Sequence, residues 1–505
     1  MATGTFVAGS SGEHRDLAYW MERVLKELEK VQTAPDEEAV HDLRVAIRRC
    51  RSVAAVMEEV DPDSAWPEMR KLPRKLFREL GELRDTQVLE EWTKSLSAEN
   101  DPIREVLMAH FSRQEKELRE ESLRVGAKFD LKSWKKLEGT LGRRSRMVPA
   151  DGLGAECLAL ERWEAAKELH LHAFRATKPE AWHALRIGVK KFRYTVESFL
   201  PLRYEAWGSD LKRVQDLLGE VHDLDVLAET IRKLTPIGME ERRDAWVERL
   251  TIERNQRLES YRQLTMGKSN LWQDWRQGLP EGSRLETAGL ARLRVTMRAL
   301  DKNPRRSGQV SALAMKLYDG LMKLRAAPVF GDKSLRKLMK AAARVHGIGS
   351  GLDSKEPQKA GREFLLEMAT PAGWSEAEWQ LMAMVVRYHR GKQPETTQKG
   401  FAKLSEAERA KLRACAGVLR LARVLRKCGV QSAVGVRLER SVDAVIVHVP
   451  GYIDTEETAA EIAAGKHLLE TCIACPLLLK AVPLASNLVE MKKKEESGAT
   501  SVASD

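Results

Sequence analysis

Two eleven-residue segments of the chain carry the same cations at the same spacing. The first runs His41-Asp-Leu-Arg44-Val-Ala-Ile-Arg48-Arg49-Cys-Arg51. The second lies well down the chain and runs His183-Ala-Leu-Arg186-Ile-Gly-Val-Lys190-Lys191-Phe-Arg193. Arg offers a planar fork of donors that matches phosphate or carboxylate oxygens two at a time, and Lys adds a compact charge. The chemistry open to such a row is capture of an anion with many oxygens. Neither segment contains Pro, and both fit a helix. With His41 set at 0° and about 100° per residue, Arg44 falls near −60°, Arg48 near −20° and Arg51 near −80°. His183, Arg186, Lys190 and Arg193 repeat this stripe, with Arg49 and Lys191 on its flank. Leu43, Ile47 and Cys50 fall on the opposite side, as do Leu185, Val189 and Phe192. The apolar side must pack; the cationic side must stay hydrated or meet anions. Like charges three and four residues apart repel one another. Few acids share the stripe, so a polyanion is the natural source of the missing charge. A basic but merely solvated helix face is the competing reading, and the repetition at identical spacing weighs against it.

A second matched pair follows the first. Leu80-Gly-Glu-Leu-Arg-Asp85 recurs as Leu218-Gly-Glu-Val-His-Asp223, at nearly the offset that separates the two basic segments. Two matched blocks at nearly one offset indicate an internal duplication. The elements that must position the stripes read as consecutive amphipathic helices. The first set covers 18–30, 40–58, 66–96, 102–124 and 131–141; the second covers 154–176, 181–200, 209–234 and 239–265. Breakers such as Asp61-Pro62, Asn100-Asp-Pro102 and Lys178-Pro179 separate them. Two helical halves with matching motifs predict a pseudo-two-fold pair of antiparallel bundles that present their stripes across one groove.

The chain continues past a Gly- and Pro-containing boundary at Gln277–Ser283, inside a linker placed at 276–289. A second helical domain is expected from about 285 to 428. Strands follow at 434–439 and 444–449, then a helix at 456–472 and a strand at 477–482. Residues 1–12 and 486–505 are expected to be disordered. The fold class is therefore mainly α: duplicated antiparallel bundles, then a helical domain with a small α/β end.

Composition narrows the function. The chain has 505 residues, 85 Lys and Arg against 74 Asp and Glu, and a net charge of +11. This favours an anionic partner such as polyphosphate, nucleic acid or a membrane surface. Aromatic residues make up 6%, few for a protein that stacks single-stranded bases. No segment has the length and apolarity of a membrane span or the pattern of a signal peptide, so a cytoplasmic location without membrane insertion is expected. Six cysteines are too sparse for a disulfide framework, and Cys472-Ile-Ala-Cys475 is read as structural because no second ligand pair accompanies it. No phosphate loop of the Walker type and no G-x-S-x-G turn occur. No catalytic residue, metal or cofactor is assigned.

The duplicated H-x-L-R-x-x-[IV]-[RK]-[RK]-x-R segments and the two L-G-x-x-x-D segments resemble the CHAD family over about residues 13–275, as two repeats at about 13–145 and 154–275. The resemblance implies two pseudo-symmetric bundles around a basic groove that binds inorganic polyphosphate, with some members located at polyphosphate granules. Carried over by motif position, the ligand-facing residues are His41, Arg44, Arg48, Arg51, His183, Arg186, Lys190 and Arg193, flanked by Arg49 and Lys191. Arg74, Lys75, Lys212 and Arg213 precede the second motif and extend this set. The E-x-E-x-K motif of the triphosphate tunnel enzymes that often accompany CHAD domains is missing.

Val310–Asp319, Ala341–Gly349, Ala383–Arg390 and Leu412–Arg423 resemble the C-terminal helical region of the exopolyphosphatase and guanosine pentaphosphatase family, of the HD superfamily, over about residues 290–485. The departures from that pattern are specific. Gln309 stands at the first His position, Gly347 stands where Asp should follow His346, and the segment 351–359 has no His. A metal-binding HD site needs several such ligands. His389, between Arg387 and Arg390, is read either as a core histidine or as a phosphate contact, and Arg387, Arg390 and Lys392 as a residual anion surface. The leading expectation is a non-catalytic polyphosphate-binding protein that also accepts other polyanions. The alternatives are a metal-dependent hydrolase of polyphosphate or guanosine polyphosphate, and a non-specific nucleic-acid-binding protein.

Overall fold

The computed structural model describes residues 16–33, 37–176, 178–453 and 455–483. Both terminal segments expected to be disordered, 1–12 and 486–505, lie outside the described residues. The chain divides into two compact units between Val295 and Thr296.

The first unit is helical throughout. Its first half holds α1 (Leu17–Thr33), α2 (Glu37–Met57), α3 (Ala65–Lys71), α4 (Arg74–Leu96), α5 (Pro102–Ala127) and α6 (Leu131–Ser145). Its second half holds α7 (Leu153–Ala173), α8 (Pro179–Phe199), α9 (Pro201–Leu234), α10 (Glu240–Thr265) and α11 (Leu271–Gln277). The duplication is visible in the packing: α1 lies on α2 as α7 lies on α8, and α4 on α5 as α9 on α10. The halves meet where α2 packs against α8 and α4 against α9.

The apolar sides of the two stripe helices drive this arrangement. Leu43, Ile47 and Cys50 of α2, and Leu185, Val189 and Phe192 of α8, have no exposed surface. Full burial of each such side chain contributes about 1.5–3 kcal/mol. Elsewhere in the unit, Leu89, Ile103, Leu107 and Phe111 join Leu224, Leu227, Ile231, Trp246 and Leu250 in one core cluster across the halves. The end of α2 is fixed by a buried carboxylate. Asp61 accepts from the Trp66 indole at 2.8 Å and from Nε and Nη2 of Arg144 at 2.8 and 2.6 Å, tying α2 to α3 and α6. Gly188 lets α8 approach α7 closely, since a Cβ there would meet Leu169 Cδ1 at 2.8 Å and Ala166 Cα at 3.4 Å.

Three boundaries differ from the sequence expectation. The helix expected over 66–96 is two helices, broken at Leu72-Pro73, because Pro73 lacks an amide donor and crowds the preceding turn. Helix α9 starts at Pro201 rather than at 209, since Pro is well suited to the first helical position. The 276–289 segment contains the end of α11 and the start of α12 (Gly282–Leu300), and the division between units falls inside α12.

The second unit contains α13 (Pro304–Lys323), α14 (Lys333–Val345), α15 (Pro357–Glu367), α16 (Glu376–Tyr388), α17 (Lys399–Ala402) and α18 (Glu406–Lys427). Capping boxes start α16 at Ser375 with Glu378, and α18 at Ser405 with Glu408. Then come β1 (Arg437–Arg440), β2 (Val445–Pro450), α19 (Glu456–Ile473) and β3 (Leu477–Val482). The strands form one sheet in the order β1-β2-β3. β1 and β2 are antiparallel; β2 and β3 are parallel, with Val445 opposite Leu477, and α19 supplies the crossover a parallel pair requires. The backbone of α19 comes close to α18 at Gly417, where a Cβ would meet Leu469 N and Cα at 3.0 Å.

Candidate functional site

A cleft of about 620 Å³ opens between α2 and α8. Arg48, Arg51 and Ser52 line it from α2, and Lys190, Lys191 and Tyr194 from α8. Arg70, Phe77 and Arg162 complete the walls, with Glu58 and Glu59 as its acids. Arg70 pairs with Glu58, and Arg162 with Glu59.

Tyr194 organises the cations. Its ring centroid lies 5.5 Å from the Arg48 guanidinium carbon, 5.8 Å from that of Arg193 and 6.0 Å from Lys190 Nζ. Attraction of each cation to the aromatic ring offsets part of their mutual repulsion. Arg51 lies 5.1 Å from the Phe77 ring and donates to the Arg70 carbonyl. Arg49 lies 5.2 Å from the Trp20 ring and pairs with the well-buried Glu197 of α8.

Much of the donor capacity is unused. The Nε atoms of Arg44, Arg48, Arg49 and Arg193 are buried and have no hydrogen-bond partner. Arg48 forms no ion pair with a carboxylate among the described residues. Burial, with further repulsion from Arg186, Arg48 and Arg44, pushes the Lys190 ammonium down to about 8. Nearer the N-terminal ends of the stripes, Arg44 Nη2 stands 3.8 Å from Asp85 Oδ1. Burial, reinforced by Asp85 and Glu220 against the pull of Arg186, raises Asp223 to about 6. Asp223 therefore feels the charge of Asp85, its counterpart in the other L-G-x-x-x-D segment. His183 Nδ1 and His222 Nδ1 are 3.4 Å apart. Burial, then Arg186 and His183, hold His222 below the usual imidazole range.

The structure brings Arg48, Arg51, Lys190 and Lys191 together in the cleft wall, with Arg44, Arg186 and Arg193 alongside. His41 and His183 are exposed at the start of each stripe. Arg74, Lys75, Lys212 and Arg213 are exposed and do not line the cleft. Lys75 pairs with Glu121 at 3.0 Å and Lys212 with Asp216 at 2.7 Å, whereas the charge of Arg74 is felt at Arg51.

Sequence reasoning missed Tyr194, Glu197, Arg70 and Arg162. Two of these had a signal. With His183 as the origin of the same helical wheel, Tyr194 and Glu197 both fall on the stripe side of α8, in line with Arg186 and Lys190. Arg70 and Arg162 sit on helices without the repeated motif, and only packing reveals them.

In the second unit, Gln309 Oε1 accepts from Arg426 Nε at 2.6 Å. A Cβ at Gly347 would lie 2.5 Å from Ser307 Oγ and 2.6 Å from Asp301 Oδ2, so the space an Asp would need is already filled. His346 and His389 are buried, with their Nδ1 atoms on the carbonyls of Ala343 and Val386 at 2.8 and 2.6 Å and their rings 5.4 Å apart. Among the described residues no group of three or more His, Cys, Asp and Glu side chains is placed to hold a metal ion. Cys472 and Cys475 are free thiols. No helix among the described residues is long and apolar enough to cross a membrane.

Two protein families match the chain in succession. The CHAD domain matches residues 15–232, and domain III of the Ppx/GppA phosphatases matches residues 294–444. The chain therefore carries an N-terminal CHAD domain and a C-terminal member of the Ppx/GppA domain III family, which associates it with phosphate metabolism. It is also similar to the crystal structure of the CHAD domain from the plant Ricinus communis, at 22% identity over 49% of this chain and 88% of that one, with a TM-score of 0.37. No curated protein matches the chain.

Proposed function

We propose that the CHAD domain binds inorganic polyphosphate in the cleft between α2 and α8, and that the protein holds the polymer without cleaving it. The observation that carries this reading is the convergence of Arg48, Arg51, Lys190 and Lys191 on one cleft wall, where Arg48 has no carboxylate partner among the described residues and its Nε has no hydrogen-bond partner. A buried donor left unpaired costs about 1–3 kcal/mol. Phosphate oxygens in the cleft accept from the guanidinium and ammonium groups on its wall and neutralise their charge together. Binding proceeds by release of counterions and formation of charge-assisted hydrogen bonds. The aromatic anchors hold the cations in place beforehand, so less side-chain entropy is lost on binding. A polymer is favoured over a single phosphate because the cations extend along two helices rather than converging on one point. The filled space at Gly347 and the engaged Gln309 support a holding role over hydrolysis in the second unit.

The test is the pair Arg44→Ala with Arg186→Ala, titrated with long-chain polyphosphate. If each charged contact is worth about 1.5–3 kcal/mol, the double variant binds about 3–6 kcal/mol more weakly. Wild-type affinity in that variant contradicts the proposal. Phosphate release that depends on Mg²⁺ or Mn²⁺ and is lost in His346→Ala supports the hydrolase reading instead. Competition by duplex DNA at equal phosphate concentration and salt supports the nucleic-acid reading.

A further inference from the structure

The second unit contains a separate cationic pocket of about 260 Å³, built from four segments. Arg306 enters from the first turn of α13, Arg390 and Gly391 from the turn after α16, Arg423 and Lys427 from α18, and Glu461 from α19. We propose that this pocket binds a compact phosphoanion of one or two phosphoryl groups, of the inorganic pyrophosphate class.

The charge balance is the first argument. Arg306, Arg390 and Arg423 converge on the pocket, and none forms an ion pair with a carboxylate among the described residues. Its one carboxylate, Glu461, is already engaged by Lys427. Crowding several guanidinium groups is costly, and an anion with oxygens on several sides relieves that cost through bidentate contacts. Repulsion is felt at Arg423: burial first, then Arg390, Arg306 and Arg420, bring it down to about 10.

The second argument is that the frame is rigid. Arg420 donates to the carbonyls of Tyr388, Gly391 and Lys392, each at 2.8 Å, and so clamps the turn that presents Arg390. Gly391 takes φ +74°, which lets the chain turn sharply there. His389 also lines the pocket, its Nδ1 held on the Val386 carbonyl at 2.6 Å. The volume is the third argument. At about 260 Å³ it lies just below the range of drug-sized ligand pockets, about 300–1,000 Å³, and suits one or two phosphoryl groups but not a duplex.

The full chain is titrated calorimetrically with inorganic pyrophosphate. Three variants are compared with wild type: Arg390→Gln with Arg423→Gln, the exposed Arg306→Gln alone, and the cleft pair Arg48→Gln with Lys190→Gln. The expected result is binding by wild type and by the cleft pair, at least tenfold weaker binding by the Arg390 and Arg423 pair, and several-fold weaker binding by Arg306→Gln. Arg306→Gln alters no core packing, so it decides the matter if the double variant melts abnormally. No pyrophosphate binding by wild type, undiminished binding in the pocket variants, or loss in the cleft pair alone overturns the proposal. Because a cleft that takes polyphosphate can also take pyrophosphate, the pocket variants are titrated in the background of Arg48→Gln with Lys190→Gln as well, which separates failure of the pocket from failure of the cleft reading.

Discussion

Lys190 in the cleft wall and Asp223 on α9 give the CHAD domain two pH-sensitive groups at the level of single residues. Lys190 titrates at about 8, so it is charged at pH 7 and mostly neutral at pH 9. Polyphosphate affinity should therefore fall between pH 7 and pH 9, and Lys190→Arg should flatten that fall. Equal profiles for the two proteins argue against Lys190 contacting the polymer. Asp223 behaves in the opposite sense. Its carboxyl titrates at about 6 in the folded protein against an ordinary 3.8. Ionisation is thus disfavoured by folding, and the stability present below pH 4 is lost as pH rises through 6. Asp223→Asn should stabilise the protein at pH 7 by at most about 3 kcal/mol, from 1.36 kcal/mol per unit, and have little effect at pH 4. Urea unfolding at both values checks this. These residues were unevenly legible in the sequence. The stripe positions and their apolar backing follow from helical periodicity alone, and Leu43, Ile47, Leu185 and Val189 are buried as that periodicity requires. The anchoring roles of Tyr194 and Glu197 depend on which side chains of α2 reach across to α8, and one helix's spacing carries no information about its neighbour's register.

At the scale of elements, close helix approaches and occupied space set what the second unit can tolerate. Gly347 is hemmed in by Ser307 and Asp301. Gly347→Asp, which restores the sequence pattern of the HD family, should be destabilising by about 1–3 kcal/mol through overpacking, with repulsion from Asp301 added. A variant as stable as wild type in denaturant melts contradicts the packing described for that turn. Helix type was readily legible across both units because long amphipathic segments announce their period. Boundaries were less so. Pro73 divides one expected helix into α3 and α4, and the composition of 276–289 resembles a linker although much of it is helical. Gly and Pro in that stretch mark a helix end and a helix start, and a composition-based reading cannot tell these from a flexible connection.

For the molecule as a whole, the CHAD domain and the phosphatase-related unit each carry a cationic concavity, the cleft and the pocket, of different size and make-up. The cleft is the larger, lies between helices and has its cations against aromatic rings; the pocket is smaller, and backbone carbonyls hold the turn that frames it. An electrostatic mechanism makes polymer binding salt-dependent. With six or more phosphates neutralised, raising salt from 50 to 200 mM should weaken binding by about 10³-fold or more, by analogy with counterion release from DNA. A flat salt response contradicts counterion release as the driving force.

The most direct test of the central claim is a titration of the full chain with polyphosphates of increasing length, beside duplex DNA and orthophosphate at fixed salt and equal phosphate concentration. Capture of a polymer by the α2–α8 cleft predicts affinity that rises with chain length until the cleft is filled. It also predicts weaker DNA binding, and loss of the length dependence in Arg44→Ala with Arg186→Ala. Length-independent binding, or a length dependence that survives in the double variant, contradicts it.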